Sequence, residues 1–206
     1  MHIRLRSPPR TASERQAVKW KTEQFRRGYP MKRVLVIGTS GSGKSHLAQR
    51  LSVNLGLPFF ASDPFYWDPG WKPVPAGRVR EQIADVVRRE AWTLDGNFDD
   101  ERDLVWRQAD CIIWLDYPLA TVLRQVILRN LRWLLTRQTV WSGNRMSLRR
   151  ALSGIRHAFR SHALKRRNFA LWLAGLSGIE IHRFRNSRET ETWLQGLCQL
   201  SLNDHS

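Results

Sequence analysis

Residues 38–45 have types and spacing suited to binding phosphate. They read Gly-Thr-Ser-Gly-Ser-Gly-Lys-Ser and match the pattern G-x-x-x-x-G-K-[ST] at every fixed position. The glycines let the backbone curl so that successive N–H groups point at phosphate oxygens, and the start of a following helix adds partial positive charge. Lys44 is placed to reach the β- and γ-phosphates, and Ser45 can offer its hydroxyl to Mg²⁺. The motif therefore predicts a loop that holds the phosphates of ATP or a similar nucleotide.

Aspartates follow three apolar segments of the chain, at Asp63, Asp95 and Asp116. Ligands of parallel sheets gather at the carboxyl ends of the strands, so these side chains are expected near Lys44. We predict that Asp95 orients Mg²⁺, through water, and that Asp63 binds a phosphate acceptor and acts as its base. Asp116 precedes Pro118 and fits a helix cap as well as a site residue.

The net charge of +16 is distributed very unevenly along the chain. Residues 118–170 hold twelve Lys and Arg and no Asp or Glu. This insert suits a lid whose arginines close over phosphates, a nucleic-acid surface, or a solvated basic face. For the lid we predict catalytic roles for Arg145 and Arg149. The segment 141–145 (Trp-Ser-Gly-Asn-Arg) is a small-residue break at which such a lid would flex.

Two tryptophans, Trp67 and Trp71, flank a turn shortly after Asp63. Their rings could stack on a nucleobase or form a wall of the acceptor pocket. Because the chain has ten tryptophans, ordinary packing is the alternative.

The predicted elements alternate between strands and helices, as in a three-layer α/β fold with a five-stranded parallel sheet. Short apolar runs predict strands at 33–37, 58–61, 91–94, 111–115 and 179–184. Helices are expected at 44–55, 78–90, 119–137 and 187–200, with Gly56 ending the first. Residues 138–170 are predicted to be helical but interrupted at Gly143 and Gly154.

Residues 1–30 lack a sustained apolar period and carry eight basic residues against two acidic ones. We expect a disordered extension there, with Met31 as the natural start; a real basic arm is the alternative. Residues 31–206 are expected to form a single domain with residues 138–170 as its lid. Charges interrupt every long apolar stretch, so no membrane span is predicted. Cys111 and Cys198 suit buried positions in a reducing cytoplasm, which is the predicted location.

Several segments together resemble the small bacterial P-loop kinases related to adenylate kinase, many of which are labelled adenylate kinase or DNA topology modulation protein. The resemblance rests on the phosphate loop and on the segments 95–98 (Asp-Gly-Asn-Phe), 112–116 (Ile-Ile-Trp-Leu-Asp) and 141–145. It implies the P-loop NTPase fold with a helical lid insert. His46 stands where this family often has threonine. The predicted nucleotide-binding residues are Gly38, Thr39, Ser40, Gly41, Ser42, Gly43, Lys44, Ser45 and His46.

The resemblance implies an ATP-dependent enzyme that moves the γ-phosphoryl group to a nucleotide or another small acceptor, with ATP and Mg²⁺ as cofactors. Adenylate kinases carry a proline and an arginine after the Asp-Gly pair that help to hold AMP. This chain has Asn97 and Phe98 there, so AMP itself is not predicted as the acceptor. The alternative function is a nucleotide-dependent regulator that binds DNA or RNA.

Overall fold

The computed structural model describes residues 31–203, and the side chains of residues 31–197. The predicted extension at 1–30 and the side chain of Cys198 lie outside these residues, so both stay predictions. Cys111 is buried, as expected. Among the described helices, none combines the length and the apolar character that crossing a membrane requires.

The strands in the described part of the chain form one large sheet and two small hairpins. In chain order they are β1 (Arg33–Gly38), β2 (Phe59–Phe60), β3 (Trp67–Asp68), β4 (Lys72–Pro73), β5 (Trp92–Asp95), β6 (Cys111–Leu115), β7 (Thr139–Val140), β8 (Asn144–Arg145) and β9 (Glu180–Phe184). The large sheet has the order β2-β5-β1-β6-β9, and all its strands are parallel. The predicted five-stranded parallel sheet is therefore confirmed.

Helices connect the strands and cover the large sheet. They are α1 (Lys44–Leu55), α2 (Asp63–Tyr66), α3 (Ala76–Val87), α4 (Arg102–Val105), α5 (Leu119–Thr136), α6 (Leu148–Ala174) and α7 (Ser187–Asn203). Gly56 ends α1 in the left-handed conformation, as its position predicts. A parallel sheet between helices, with the phosphate loop joining its middle strand β1 to α1, is the P-loop NTPase fold.

Alternating residues of the central strands point to the two faces of the sheet. On one face Leu35 and Ile37 join a core built with apolar side chains of α3, α4 and the end of α6. Their neighbours in β1, Val34 and Val36, are equally buried. Because β1 is covered on both faces, its carboxyl end is held firmly where the phosphate loop begins.

The segment 138–170 differs from its prediction. Residues 139–145 form the β7–β8 hairpin, in which Gly143 takes a positive φ of 75°. Helix α6 then runs without a break through Gly154, so the interruption predicted there is wrong. Gly154 lies beside Asn130 of α5, and Asn130 donates to the carbonyl of Ala151 at 3.1 Å. Packing against α5 outweighs the cost of about 1 kcal/mol that glycine carries inside a helix.

Candidate active site

The phosphate loop follows β1 and lies at the carboxyl edge of the large sheet. Gly41 and Gly43 take φ values of 87° and 91°, a left-handed region that other residues rarely adopt. A Cβ atom on Gly41 would lie 2.0 Å from Cγ2 of Val126, so α5 packs directly against the loop. The amide of Gly38 donates to Oδ1 of Asn97 at 3.0 Å. These contacts fix the loop in a curled conformation.

Lys44 begins α1, and its ammonium group makes few contacts with polar atoms of the described residues. Among the described residues its one hydrogen bond is a long one of 3.3 Å from Nζ to the carbonyl of Thr39. Burial lowers the pKa of Lys44 to about 8, while the negative charges of Asp95 and Asp63 partly oppose that shift. The charges of both carboxylates therefore act on Lys44, whose ammonium group retains N–H groups for a further anion.

Asp63 is the first residue of α2, the short helix after β2. Burial raises its pKa to about 6, against the opposing attraction of Lys44. The negative charge of Asp95 raises the pKa further. A carboxyl group with a pKa near the working pH suits a general base.

Asp95 ends β5 and is buried, with an exposed fraction of 2%. Its Oδ1 accepts a hydrogen bond of 2.7 Å from the backbone N–H of Ser62, which orients the carboxylate. A Cβ atom on Gly96 would meet the Ser62 side chain at 2.6 Å, so the two chain segments approach closely here. The second carboxylate oxygen of Asp95 makes no hydrogen bond within the described part of the chain.

Two basic residues near these carboxylates were not singled out by the sequence. Arg129 of α5 has a pKa lowered by burial and raised by Asp63, and its Nε has no hydrogen-bond partner among the described residues. Lys165 of α6 acts on Lys44 through its charge, and it pairs with Asp99 at 2.9 Å. Both residues belong to the segment 118–170, whose lack of acidic residues indicated a phosphate-binding lid. The sequence of that segment does not indicate which of its twelve basic side chains point inward.

Polar atoms of the loop and its surroundings lack partners. Ser42 Oγ is buried and unpaired among the described residues. His162 of α6 shares a hydrogen bond of 3.1 Å between its Nδ1 and Thr39 Oγ1, while its Nε2 is unpaired. Burial and the charge of Arg166 lower the pKa of His162. Such buried polar atoms normally find a partner, so they fit a site that binds a polar, anionic group.

Ser45 and His46 lie on the first turn of α1 and are exposed. The hydroxyl of Ser45 is thus accessible at the start of the helix, where the helix dipole favours anions. His46 acts on Glu191 through its charge, and Glu191 pairs with Arg50. The predicted binding residues therefore extend from the buried loop to its solvent side.

Asp116 does not cap a helix, contrary to one of its two interpretations. Helix α5 starts after Pro118 and has no side-chain cap. The fully buried carboxylate of Asp116 instead accepts hydrogen bonds from Arg166 and Arg183, including one of 2.6 Å from Nη2 of Arg183. The guanidinium of Arg183 also lies 4.2 Å above the ring of Trp114. This aspartate is saturated by partners from α6 and β9.

Arg145 and Arg149, the arginines predicted to be catalytic, are exposed. Neither is among the charges that act on Lys44 or Asp63. The carbonyl of Arg145 accepts from the indole N–H of Trp71 at 3.0 Å. The structure thus groups Lys44, Asp63 and Asp95 but not these two arginines, whose catalytic role stays a prediction.

The segment 141–145 joins the two small hairpins. Asn144 is buried; its side chain accepts from the N–H of Trp71 and donates to the carbonyls of Asp68 and Trp141. The rings of Trp67 and Trp141 meet Trp71 edge to face at 5.8 Å, and the guanidinium of Arg150 lies 4.5 Å from the ring of Trp71. In this structure the tryptophans pack on each other, and the segment predicted to flex is anchored.

No protein family model matches the chain, and no curated protein does. Similar solved structures include a gluconokinase from Sinorhizobium meliloti 1021, at 16% identity and a TM-score of 0.48 over 85% of this chain and 96% of that chain. Two shikimate kinases are also similar. The shikimate kinase from Acinetobacter baumannii is 15% identical, with a TM-score of 0.48 over 84% of this chain and 94% of that chain. The one from Bacteroides thetaiotaomicron is 17% identical, with a TM-score of 0.49 over 82% of this chain and 97% of that chain. None of the three carries an adenylate kinase or DNA topology label. At these scores the likeness identifies no acceptor, and the fold assignment rests on strand order and the phosphate loop.

Proposed function

We propose that the protein is an ATP-dependent phosphotransferase that moves the γ-phosphoryl group of ATP to a hydroxyl or phosphate oxygen of a small acceptor. The observation that carries the proposal is the position of Lys44. It starts the helix after the phosphate loop, and two carboxylates act on its charge. A phosphate-binding lysine between a candidate base and a candidate magnesium carboxylate is the arrangement that phosphoryl transfer needs.

Each residue of the site has a proposed role that follows from its position. Backbone N–H groups of the loop and the ammonium of Lys44 bind the phosphate oxygens. Arg129 and Lys165 supply further positive charge, which is most valuable as negative charge spreads over the transferring group. Asp63 accepts the proton of the acceptor hydroxyl while the acceptor oxygen bonds to the γ-phosphorus and the bond to the β–γ bridging oxygen breaks.

The residues present fit Mg²⁺, a hard cation that prefers oxygen ligands and keeps several waters. Ser45 offers an exposed hydroxyl. Asp95 has one carboxylate oxygen oriented by Ser62 and a second that has no hydrogen bond to the described residues. Held by these residues, Mg²⁺ would neutralise negative charge on the phosphates. We assign its binding to Ser45 directly and to Asp95 through water.

The acceptor is expected next to Asp63, on the side of the sheet edge that carries β2 and α2. The raised pKa of Asp63 suits an acceptor hydroxyl that loses its proton during transfer. The Phe98 side chain is buried and leaves no arginine at that position for an acceptor phosphate. We therefore favour a small neutral or weakly charged hydroxyl compound over a nucleoside monophosphate.

The test is to incubate the full chain with Mg²⁺-ATP and a panel of sugars, hydroxy acids, nucleosides and nucleotides. Release of ADP that depends on one acceptor is the expected result. Lys44→Ala should then reduce turnover by roughly a thousandfold or more, because the lysine binds the transferring group. Lys72→Ala, at an exposed lysine of β4, is the matched control and should leave turnover unchanged.

Unchanged turnover in Lys44→Ala would refute the assignment. Absence of acceptor-dependent ADP release across the panel, together with salt-dependent binding of DNA or RNA at micromolar affinity or better, would favour the nucleic-acid alternative.

A further inference from the structure

Three side chains of different chemistry meet at the amino edge of the large sheet, opposite the phosphate loop. The Cys111 sulfur, a carboxylate oxygen of Glu180 and a ring nitrogen of His182 all lie within 4.8 Å of one another. None of them takes part in the proposed transfer. Their convergence therefore calls for its own explanation.

The sheet brings these residues together through its register. Cys111 begins β6 and Glu180 begins β9, and the two are direct partners across the parallel pair. His182 is two residues farther along β9, so its side chain points to the same face as that of Glu180. Helix α7 covers this face, and the ring of Trp193 lies 4.9 Å from the imidazole.

Two of the three residues of the cluster are buried, and Glu180 is partly exposed. Cys111 is fully buried and His182 is 8% exposed. His182 Nε2 lies 2.7 Å from Glu180 Oε1, yet it has no hydrogen-bond partner of acceptable geometry among the described residues. A buried ring nitrogen without an aligned partner is uncommon in folded proteins. It is a position from which a lone pair can be offered to a cation.

We propose that Cys111, Glu180 and His182 bind a divalent cation of the zinc class. Thiolate, imidazole and carboxylate are the three donor types that zinc uses, whereas Mg²⁺ takes oxygen ligands only. Tetrahedral zinc with bonds of about 2.0–2.3 Å places its ligand atoms roughly 3.3–3.8 Å apart. All three donor atoms lie within 4.8 Å of one another, and the contact of 2.7 Å between His182 Nε2 and Glu180 Oε1 would have to widen when the cation binds. The Glu180 side chain is 28% exposed, so water can reach the fourth position.

The position of the site predicts a structural role. Strand β9 is at the edge of the sheet and pairs with β6 alone. A cation held by Cys111 of β6 and by Glu180 and His182 of β9 would tie the edge strand to its neighbour. Binding to the folded chain then stabilises it by mass action.

The experiment uses the untagged full chain, freed of metal by a chelator and titrated with Co²⁺ in the absence of ATP and Mg²⁺. A thiolate bound to Co²⁺ gives a charge-transfer absorption that carboxylate and imidazole ligands alone do not give. The chain has two cysteines, so the variants Cys111→Ser and Cys198→Ser assign the band. We expect one equivalent of Co²⁺, with the band kept in Cys198→Ser and lost in Cys111→Ser.

A second variant covers the case in which Cys111→Ser fails to fold. His182→Gln should weaken Co²⁺ binding by about tenfold or more while keeping its far-ultraviolet circular dichroism. Zinc should displace Co²⁺ and raise the melting temperature of the wild-type chain and of Cys198→Ser by more than that of His182→Gln. No thiolate band, a band that survives Cys111→Ser, or unchanged binding by His182→Gln would each overturn the proposal. These readouts do not depend on phosphotransferase activity.

Discussion

Two groups of buried charge lie at the carboxyl edge of the sheet, and they differ in how completely they are paired. Asp116 accepts hydrogen bonds from two guanidinium groups. Lys44, near Asp63 and Asp95, makes a single long hydrogen bond to a carbonyl. The first group is satisfied within the protein, whereas the second keeps donors, acceptors and shifted pKa values. A site that must bind an external anion is expected to leave its charges available in this way.

The largest effect is expected from Asp63→Asn, which removes the proposed base. Turnover should fall by about 10²- to 10⁴-fold, because a positioned base contributes that much. Its folded pKa of about 6 exceeds the unfolded value. Asp63 therefore costs stability that appears as the pH rises from about 4 to 6. A shift of about two pKa units corresponds to about 3 kcal/mol, so the variant should be more stable by up to about that amount at pH 7.

Kinetics and urea unfolding check both halves of this prediction. Asp103→Asn, which changes an exposed partner of Arg80, should alter neither quantity appreciably. A variant that is less stable than the wild type would show that Asp63 is paired like Asp116.

The next prediction concerns which arginines stabilise the negative charge of the phosphates. Arg129→Gln should lower kcat by about a hundredfold, since the charges of Arg129 and Asp63 interact and Arg129 Nε has no hydrogen-bond partner in the described part of the chain. Arg149→Gln is the matched control and should change kcat less, because Arg149 is exposed. Single-turnover measurements of phosphoryl transfer compare the two. The reverse ranking would support the lid arginine indicated by the sequence.

Asp116→Asn is expected to affect stability rather than chemistry. It removes the charge that pairs with Arg166 and Arg183, so the free energy of unfolding should fall by about 2 kcal/mol, a thirtyfold change in the unfolding constant. Asp85→Asn removes an exposed pair with Arg88 and should cost less than about 0.5 kcal/mol. Denaturant titrations measure both. Turnover that falls as steeply as in Asp63→Asn would place Asp116 in the active site.

The smallest effect is the pH dependence of kcat/KM. Asp63 must be deprotonated to act as a base, so kcat/KM should rise about tenfold per pH unit up to about pH 6. Lys44 must be protonated to bind phosphate, so kcat/KM should fall again above about pH 8. The acid limb should disappear from the residual activity of Asp63→Asn. A profile that is flat between pH 5 and 7 in the wild type would exclude Asp63 as the base.

The sequence predicted the parts of this molecule that depend on local pattern. The apolar runs gave the five parallel strands because strands buried on both faces are continuously apolar. The fixed spacing of the phosphate loop located Lys44, and the strand ends located Asp63 and Asp95. The two-residue strands of the hairpins were missed because so short a segment has no detectable period.

Features that depend on how helices pack could not be predicted in the same way. The sequence does not distinguish Arg129, Arg145 and Arg149, because all three lie in a segment without acidic residues. Only the packing of α5 on the phosphate loop turns Arg129 inward. Gly154 was expected to break a helix because glycine has a low helix propensity. Packing of this residue beside Asn130 of α5 outweighs that propensity. Asp116 looked like a cap because its arginine partners are 50 and 67 residues away.

Helix α6 also connects distant parts of the molecule mechanically. It has 27 residues, a length of about 40 Å. Arg150 near its start stacks on Trp71, and His162 touches the phosphate loop. A tilt of about 5° pivoting at His162 would move the start of the helix by roughly 2 Å, given about 21 Å of helix between them. A small displacement at the loop would therefore produce a larger one at the tryptophan hairpins.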